Sequence, residues 1–166
     1  MPHTPHHTLH IIHHTSHIMI RPKLEYVVVM WSPLKKKNIM KLERVQRTIT
    51  KMVPNLSTLI HGERLRKLDI TTLEERRKRG DLILVYRMVN GMEHVGKEDI
   101  LLLDTCSTRG HGLKLKKGFC KRDLKKYSFP HRVVNNWNEL DEEVVMAGTV
   151  QTFKEKFDKR YRDGTP

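Results

Sequence analysis

Between Thr72 and Gly91 the chain spells out both ends of one helix, TLEERRKRGDLILVYRMVNG. Thr72 with Glu75 three residues later is a capping box, and Asn90-Gly91 supplies the left-handed stop. No other stretch limits the fold as firmly, because a helix of this length must bury one face against neighbours. Gly80 sits mid-helix, where it costs about 1 kcal/mol against Ala; it is read as a point where another element crosses closely. Arg76, Arg77, Lys78 and Arg79 resemble a phosphate-binding or nuclear-localisation run. Glu74, Glu75 and Asp81 flank them, so the run is read as a solvated face.

The rest of the pattern is also mainly α. In KKKNIMKLERVQRTITKMVP an apolar stripe of Ile39, Leu42, Val45, Ile49 and Met52 opposes a basic one of Lys41, Arg44, Arg47 and Lys51. Asn38 is the expected N-cap and Pro54-Asn55 the stop. Glu43 is the only acid close enough to soften the basic ridge. Gly62–Leu68 predicts a short helical turn or two. Upstream, RPKLEYVVVMWSP places Leu24, Val27, Val28 and Trp31 on one helical face, against the strand preference of three consecutive valines. Near the end, Ser128 is positioned to cap FPHRVVNNWNEL, with Phe129, Val133, Trp137 and Leu140 on one face. DEEVVMAG then links to TVQTFKEKFDKRY, with Val150, Phe153, Phe157 and Tyr161 on another. These stripes predict a two-helix closure and are read as core, not as base-stacking platforms.

Residues 109–132 carry nine Lys or Arg and a single Asp. Leu113 and Leu115 alternate with Lys114 and Lys116, and Lys117-Gly118 is a candidate turn, so a short basic β-hairpin or extended arm is expected. The organisation expected is therefore a His-rich, poorly ordered leader at 1–20 and a helical region at 21–91. An acidic joint with the basic arm follows at 92–127, and a helical pair with its tail at 128–166.

Charge limits the function classes. The 166 residues hold 32 Lys and Arg against 19 Asp and Glu, a net charge of +13. Such an excess points to a polyanionic partner, most often nucleic acid. The candidate contacts are Lys41, Arg44, Arg47 and Lys51 on the ridge, and Lys114, Lys116, Lys117, Lys121 and Arg122 on the arm. Seven of the eleven histidines lie in the first 20 residues, without the carboxylate or thiolate that would complete a metal site. Cys106 and Cys120 form neither a disulfide framework nor a zinc motif, which fits a reducing compartment. Neither is placed by the sequence beside His111 or His131 as a thiol dyad. No apolar run reaches membrane-spanning length and no signal-peptide pattern opens the chain, so an intracellular location, nuclear or cytoplasmic, is expected. Phosphate-loop, zinc-protease and serine-hydrolase motifs are absent, as is any Asp-Asp pair. No cofactor, metal or catalytic set is expected.

Several blocks in order resemble the C-terminal part of LINE-type (non-LTR, Jockey-like) retrotransposon reverse transcriptases. They are Arg21-Pro-Lys-Leu-Glu-Tyr26 with Trp31-Ser-Pro33, Lys41-Leu-Glu-Arg-Val-Gln-Arg47 running to Thr50-Lys-Met-Val-Pro54, and Glu63-Arg-Leu with Lys67-Leu68. Thr72-Leu-Glu-Glu-Arg-Arg77, Arg79-Gly-Asp-Leu82, Val85-Tyr86 and Asn90-Gly91 follow. Thr108-Arg-Gly-His111, Phe129 with Arg132-Val-Val-Asn135, Trp137-Asn138 and Glu143-Val-Val145 complete the series. The resemblance implies a helical thumb with the tail beyond it, following a palm whose metal-binding carboxylates are not in this sequence. It implies contact with the backbone of a primer–template duplex, and no catalysis by these residues. Two other readings remain open: an interaction module using the apolar face at Leu24, Val28 and Trp31, and a helix-turn-helix DNA binder built on residues 63–89.

Overall fold

The computed structural model describes residues 36–53, 55–93, 100–104, 110–118 and 128–161. The leader, the Leu24, Val28 and Trp31 face, Cys106, Cys120, Lys121 and Arg122 lie outside them. Within the described residues the elements are α1 (Lys36–Lys51), α2 (His61–Lys67), α3 (Leu73–Val89), β1 (Leu102–Leu103), β2 (Leu115–Lys116), α4 (Phe129–Asn138), α5 (Glu142–Val145) and α6 (Val150–Tyr161). The chain is thus mainly helical, with one small antiparallel ladder. It divides into two compact units, Met1–Arg77 and Lys78–Pro166. That division falls partway along α3.

In the first unit α1 packs on α2, above a small core of Val53, Leu56, Leu65, Ile70 and Leu73. The helix start differs from expectation: α1 already includes Asn38, which therefore is not its N-cap. The inward face differs in part, Ile39, Leu42 and Ile49 of the apolar stripe being half-buried. Gln46 and Thr50 are the buried residues of α1, while Val45 is 41% and Met52 70% exposed. Burial of the two polar residues is offset in part by hydrogen bonds, although Gln46 Oε1 meets no partner. Gln46 Nε2 donates to the Thr71 carbonyl at 2.9 Å, and Thr50 Oγ1 donates to the Arg47 carbonyl at 3.1 Å while accepting from Arg64 Nε at 3.3 Å.

The capping box at α3 forms as read. The Thr72 amide donates to Glu75 Oε2 at 2.9 Å, and the Glu75 amide returns a bond to Thr72 Oγ1 at 3.1 Å. At the far end Gly91 takes φ +67°, the Gly91 amide donates to Met88 and the Met92 amide to Arg87. These two bonds make a Schellman closure. Gly80 is not a crossing point: among the described residues nothing lies within 4 Å of where its Cβ would sit.

The second unit has the larger core. Leu82, Val85, Tyr86, Met88 and Val89 from α3 meet Val133, Val134, Trp137, Leu140, Val144, Val145 and Phe153. Trp137, Tyr86 and Phe153 are fully buried. Their rings stack in a column that continues outward, Tyr86 to Phe153 at 4.5 Å, Phe153 to Phe157 at 6.2 Å, and Phe157 to Tyr161 at 5.0 Å. Val133, Trp137, Leu140 and Phe153 of the aromatic stripes are core, as expected from their spacing, with Phe129, Val150 and Phe157 packed against it, whereas Tyr161 is 38% exposed. DEEVVMAG is more than a link, because α5 forms there and buries Val144 and Val145. Ser128 occupies the N-cap position of α4 without capping an amide; its Oγ lies 3.1 Å from His131 Nδ1 instead.

Strand β2 finds its partner upstream. Leu115 pairs with Leu103 and Lys116 with Leu102, so the ladder joins the basic segment to the stretch read as an acidic joint; the residues that would follow a turn at Lys117-Gly118 lie outside the described ones. The other edge of β2 is covered by a side chain. The Leu115 amide donates to Asn138 Oδ1 and Asn138 Nδ2 donates to the Leu115 carbonyl, both at 2.8 Å. An amide side chain thereby stands in for a third strand and closes the edge.

Candidate nucleic-acid interface

A helix turns about 100° per residue, so Lys41, Arg44, Arg47 and Lys51 fall within one broad face of α1. Gln46 and Thr50 fix which face points inward, and the four cations emerge on the other side, all exposed. Lys36 and Lys37 are exposed as well. None of the five salt bridges between described residues involves any of these cations.

Glu43 explains much of this. Its Oε1 accepts the Glu74 amide of α3 at 3.0 Å, where a carboxylate is favoured by the unsatisfied amides and the positive end of the helix dipole. The one acid expected to soften the ridge is committed elsewhere. The ridge is therefore a continuous cationic face, stretching over about 15 Å of helix axis from Lys41 to Lys51. The same length of duplex DNA carries on the order of nine phosphate charges.

The arm is a different matter. Lys116 and Lys117 are exposed, while Lys114 is half-buried and its Cε approaches to 3.2 Å of the Cβ position at Gly110. The backbone beneath is anchored: the Asp104 amide donates to the Lys114 carbonyl at 2.8 Å, and Trp137 Nε1 donates to the Leu113 carbonyl at 2.7 Å. Residues 113–116 are thus a fixed edge, not a free arm.

The Arg76–Arg79 run is a solvated face only in part, at the exposed Lys78. Arg77 is buried at 6% exposure. Arg79 holds Asp158 through Nε and Nη2 at 2.6 and 2.7 Å, a fork that fixes both planes. Sequence reasoning missed Arg66 and Lys67, exposed on α2 beside the ridge helix; the cluster RLRK was their only signal. His61 and Arg64 of α2 were missed also. Arg64 is buried at 5% exposure, with Nε on Thr50 and Nη1 donating to the Leu59 carbonyl. His111 and His131 are buried structural residues, His111 Nε2 lying 3.0 Å from the Trp137 carbonyl and His131 Nε2 3.2 Å from that of Gly118.

Among the described residues no group of three or more His, Cys, Asp or Glu is placed to hold a metal ion, and no helix is long and apolar enough to cross a membrane. Compared with protein-family models, curated proteins and solved structures, the chain finds no match.

Proposed function

We propose that this chain is the thumb-like part of a LINE-type RNA-directed DNA polymerase, and that α1 holds nucleic acid by its phosphates without reading sequence. One observation carries the binding role. Lys41, Arg44, Arg47 and Lys51 share an exposed face, and Glu43, the only acid within that stretch of α1, is turned away to cap α3. Cations of this kind position a protein on a duplex and carry no base information. Lys116 and Lys117 are secondary contacts.

The helix-turn-helix reading is weaker on electrostatic grounds. A recognition helix presents its N-terminal residues to the major groove. Here the first turn of α3 carries Glu74 and Glu75, and the Glu43 carboxylate sits on its amide, so three acids would face the DNA.

The test is a salt titration with DNA duplexes and RNA–DNA hybrids of unrelated sequence. Affinity falls with salt at a log–log slope of roughly −0.9 per phosphate neutralised, and is the same across sequences. Replacing all four ridge cations by Gln lowers the slope magnitude by as much as about 3.6. A flat salt response overturns the binding role. The polymerase ancestry is checked separately, by whether the reading frame upstream of Met1 encodes a palm with a Tyr-x-Asp-Asp turn.

A further inference from the structure

His61 is an anomaly in the first unit. The residue is half-buried, yet both ring nitrogens, Nδ1 and Nε2, are shielded from solvent and meet no hydrogen-bond partner. A neutral imidazole offers one donor and one acceptor, and leaving both unmet costs free energy that folded proteins seldom tolerate without a use. The surroundings suggest one. His61 and Arg64 stand three residues apart on α2, so they share a face. That face meets α1, because Arg64 Nε donates to Thr50 Oγ1 and Thr50 donates to the carbonyl of Arg47. Arg47 from α1 and Arg64 from α2 are the charged groups acting on the ring, and no carboxylate is among them.

We propose that Arg47 and His61 form a subsite for one backbone phosphate of a bound duplex, which takes up a proton on the imidazole as it fills. The inference rests on the ridge-binding reading and adds a specific position to it. In the free protein, burial first, and then the charges of Arg47 and Arg64, hold the His61 pKa below its ordinary 6.5, so the ring is neutral. A phosphate seated on Arg47 reverses the local sign of charge and favours the imidazolium. A half-turn about the Cβ–Cγ bond exchanges the nitrogens with ring carbons. The ring gives up no hydrogen bond in turning, since it has none. The proton comes from solvent, one N–H bond forms on the ring, and that N–H donates to a phosphate oxygen. Arg64, tied to Thr50 and Leu59, stays in place as the fixed charge that keeps the empty site unprotonated.

The experiment measures affinity for a rhodamine-labelled DNA duplex as a function of pH, for the full chain and for His61→Gln and Arg47→Gln. One proton taken up limits the gain to about tenfold per pH unit. From about pH 8 to about pH 6 the parent chain gains about three- to tenfold more than His61→Gln, and Arg47→Gln loses that extra gain. The histidines of residues 1–20 contribute equally to all three proteins and cancel in the comparison. Parallel pH curves for parent and His61→Gln overturn the subsite and leave the ridge reading intact. Absence of salt-dependent binding in the parent overturns both. A readout that needs no variant is the histidine-ring NMR spectrum: the His61 resonance titrates below 6.5 in the free chain and moves to higher pH on adding duplex. A His61 titration unmoved by saturating duplex sinks the proposal.

Discussion

In the unit ending at Arg77, Lys41, Arg44, Arg47 and Lys51 project from α1 with no acidic partner among the described residues, while Gln46 and Thr50 are the buried residues of that helix. In the unit beginning at Lys78, cation after cation is matched: Arg79 with Asp158, Arg87 with Glu93, Arg132 with Asp81, Lys156 with Glu143 and Arg160 with Asp141. The core beneath those pairs is an aromatic column. A net charge of +13 is therefore not a uniform property of the surface. One unit spends much of its positive charge on holding itself together, and the other leaves it available to a polyanion.

Four substitutions test that contrast, in falling order of effect. Trp137→Ala removes a fully buried ring stacked on Phe153 of the aromatic column, and with it the bond to the Leu113 carbonyl. A loss of about 3–5 kcal/mol in urea unfolding is expected; a loss below 1 kcal/mol would mean that the column is not what holds the second unit. Asp81→Asn breaks the fork to Arg132, whose two bonds are both 2.8 Å, in surroundings where the two side chains keep only 10% and 19% exposure. Stranding that guanidinium costs about 2–4 kcal/mol, whereas the double change Asp81→Leu with Arg132→Met recovers most of it. If the single and double variants unfold alike, the pair is not desolvated enough to matter.

Glu43→Gln separates the two uses of charge most directly. Loss of the cap on Glu74 lowers stability by about 1 kcal/mol, and duplex affinity changes by less than about twofold because the carboxylate is not on the ridge. A large gain in affinity would show that Glu43 does soften the ridge. Gly80→Ala is the smallest and opposite in sign. With open space at its Cβ position, it raises stability by about 0.5–1 kcal/mol; thermal unfolding at a lower temperature would restore the crossing that the sequence suggested.

Features written within a few residues were legible. Thr72 and Glu75 are three apart, and their capping box forms as read; Asn90-Gly91 closes α3 through bonds to its last turn. The Phe153–Phe157–Tyr161 spacing gave the stacked column. Of the candidate site, the four ridge cations needed only helical periodicity to be placed together. Most of what failed did so where a distant group intervened; two caps failed locally, Asn38 lying inside α1 and Ser128 Oγ meeting His131 three residues on. The apolar stripe of α1 was misread at Val45 and Met52, which are exposed; the buried residues are Gln46, bonded to Thr71, and Thr50, bonded to Arg64, with Ile39, Leu42 and Ile49 half-buried. Arg79 was read as solvated because Asp158 lies 79 residues away in sequence. The basic segment was read as a short hairpin or extended arm because nothing local reveals that Leu102–Leu103 is the partner of Leu115–Lys116, or that Asn138 covers the other edge.

The sequence by itself determined the helical character of the chain and both ends of α3, since a capping box, a glycine stop and 3.6-residue stripes act through atoms about one turn apart. Only the tertiary structure decided which charges remain free. Whether a lysine or arginine meets a carboxylate depends on chain segments brought together by packing, and that choice left the ridge of α1 open while closing most of the forks beyond Arg77.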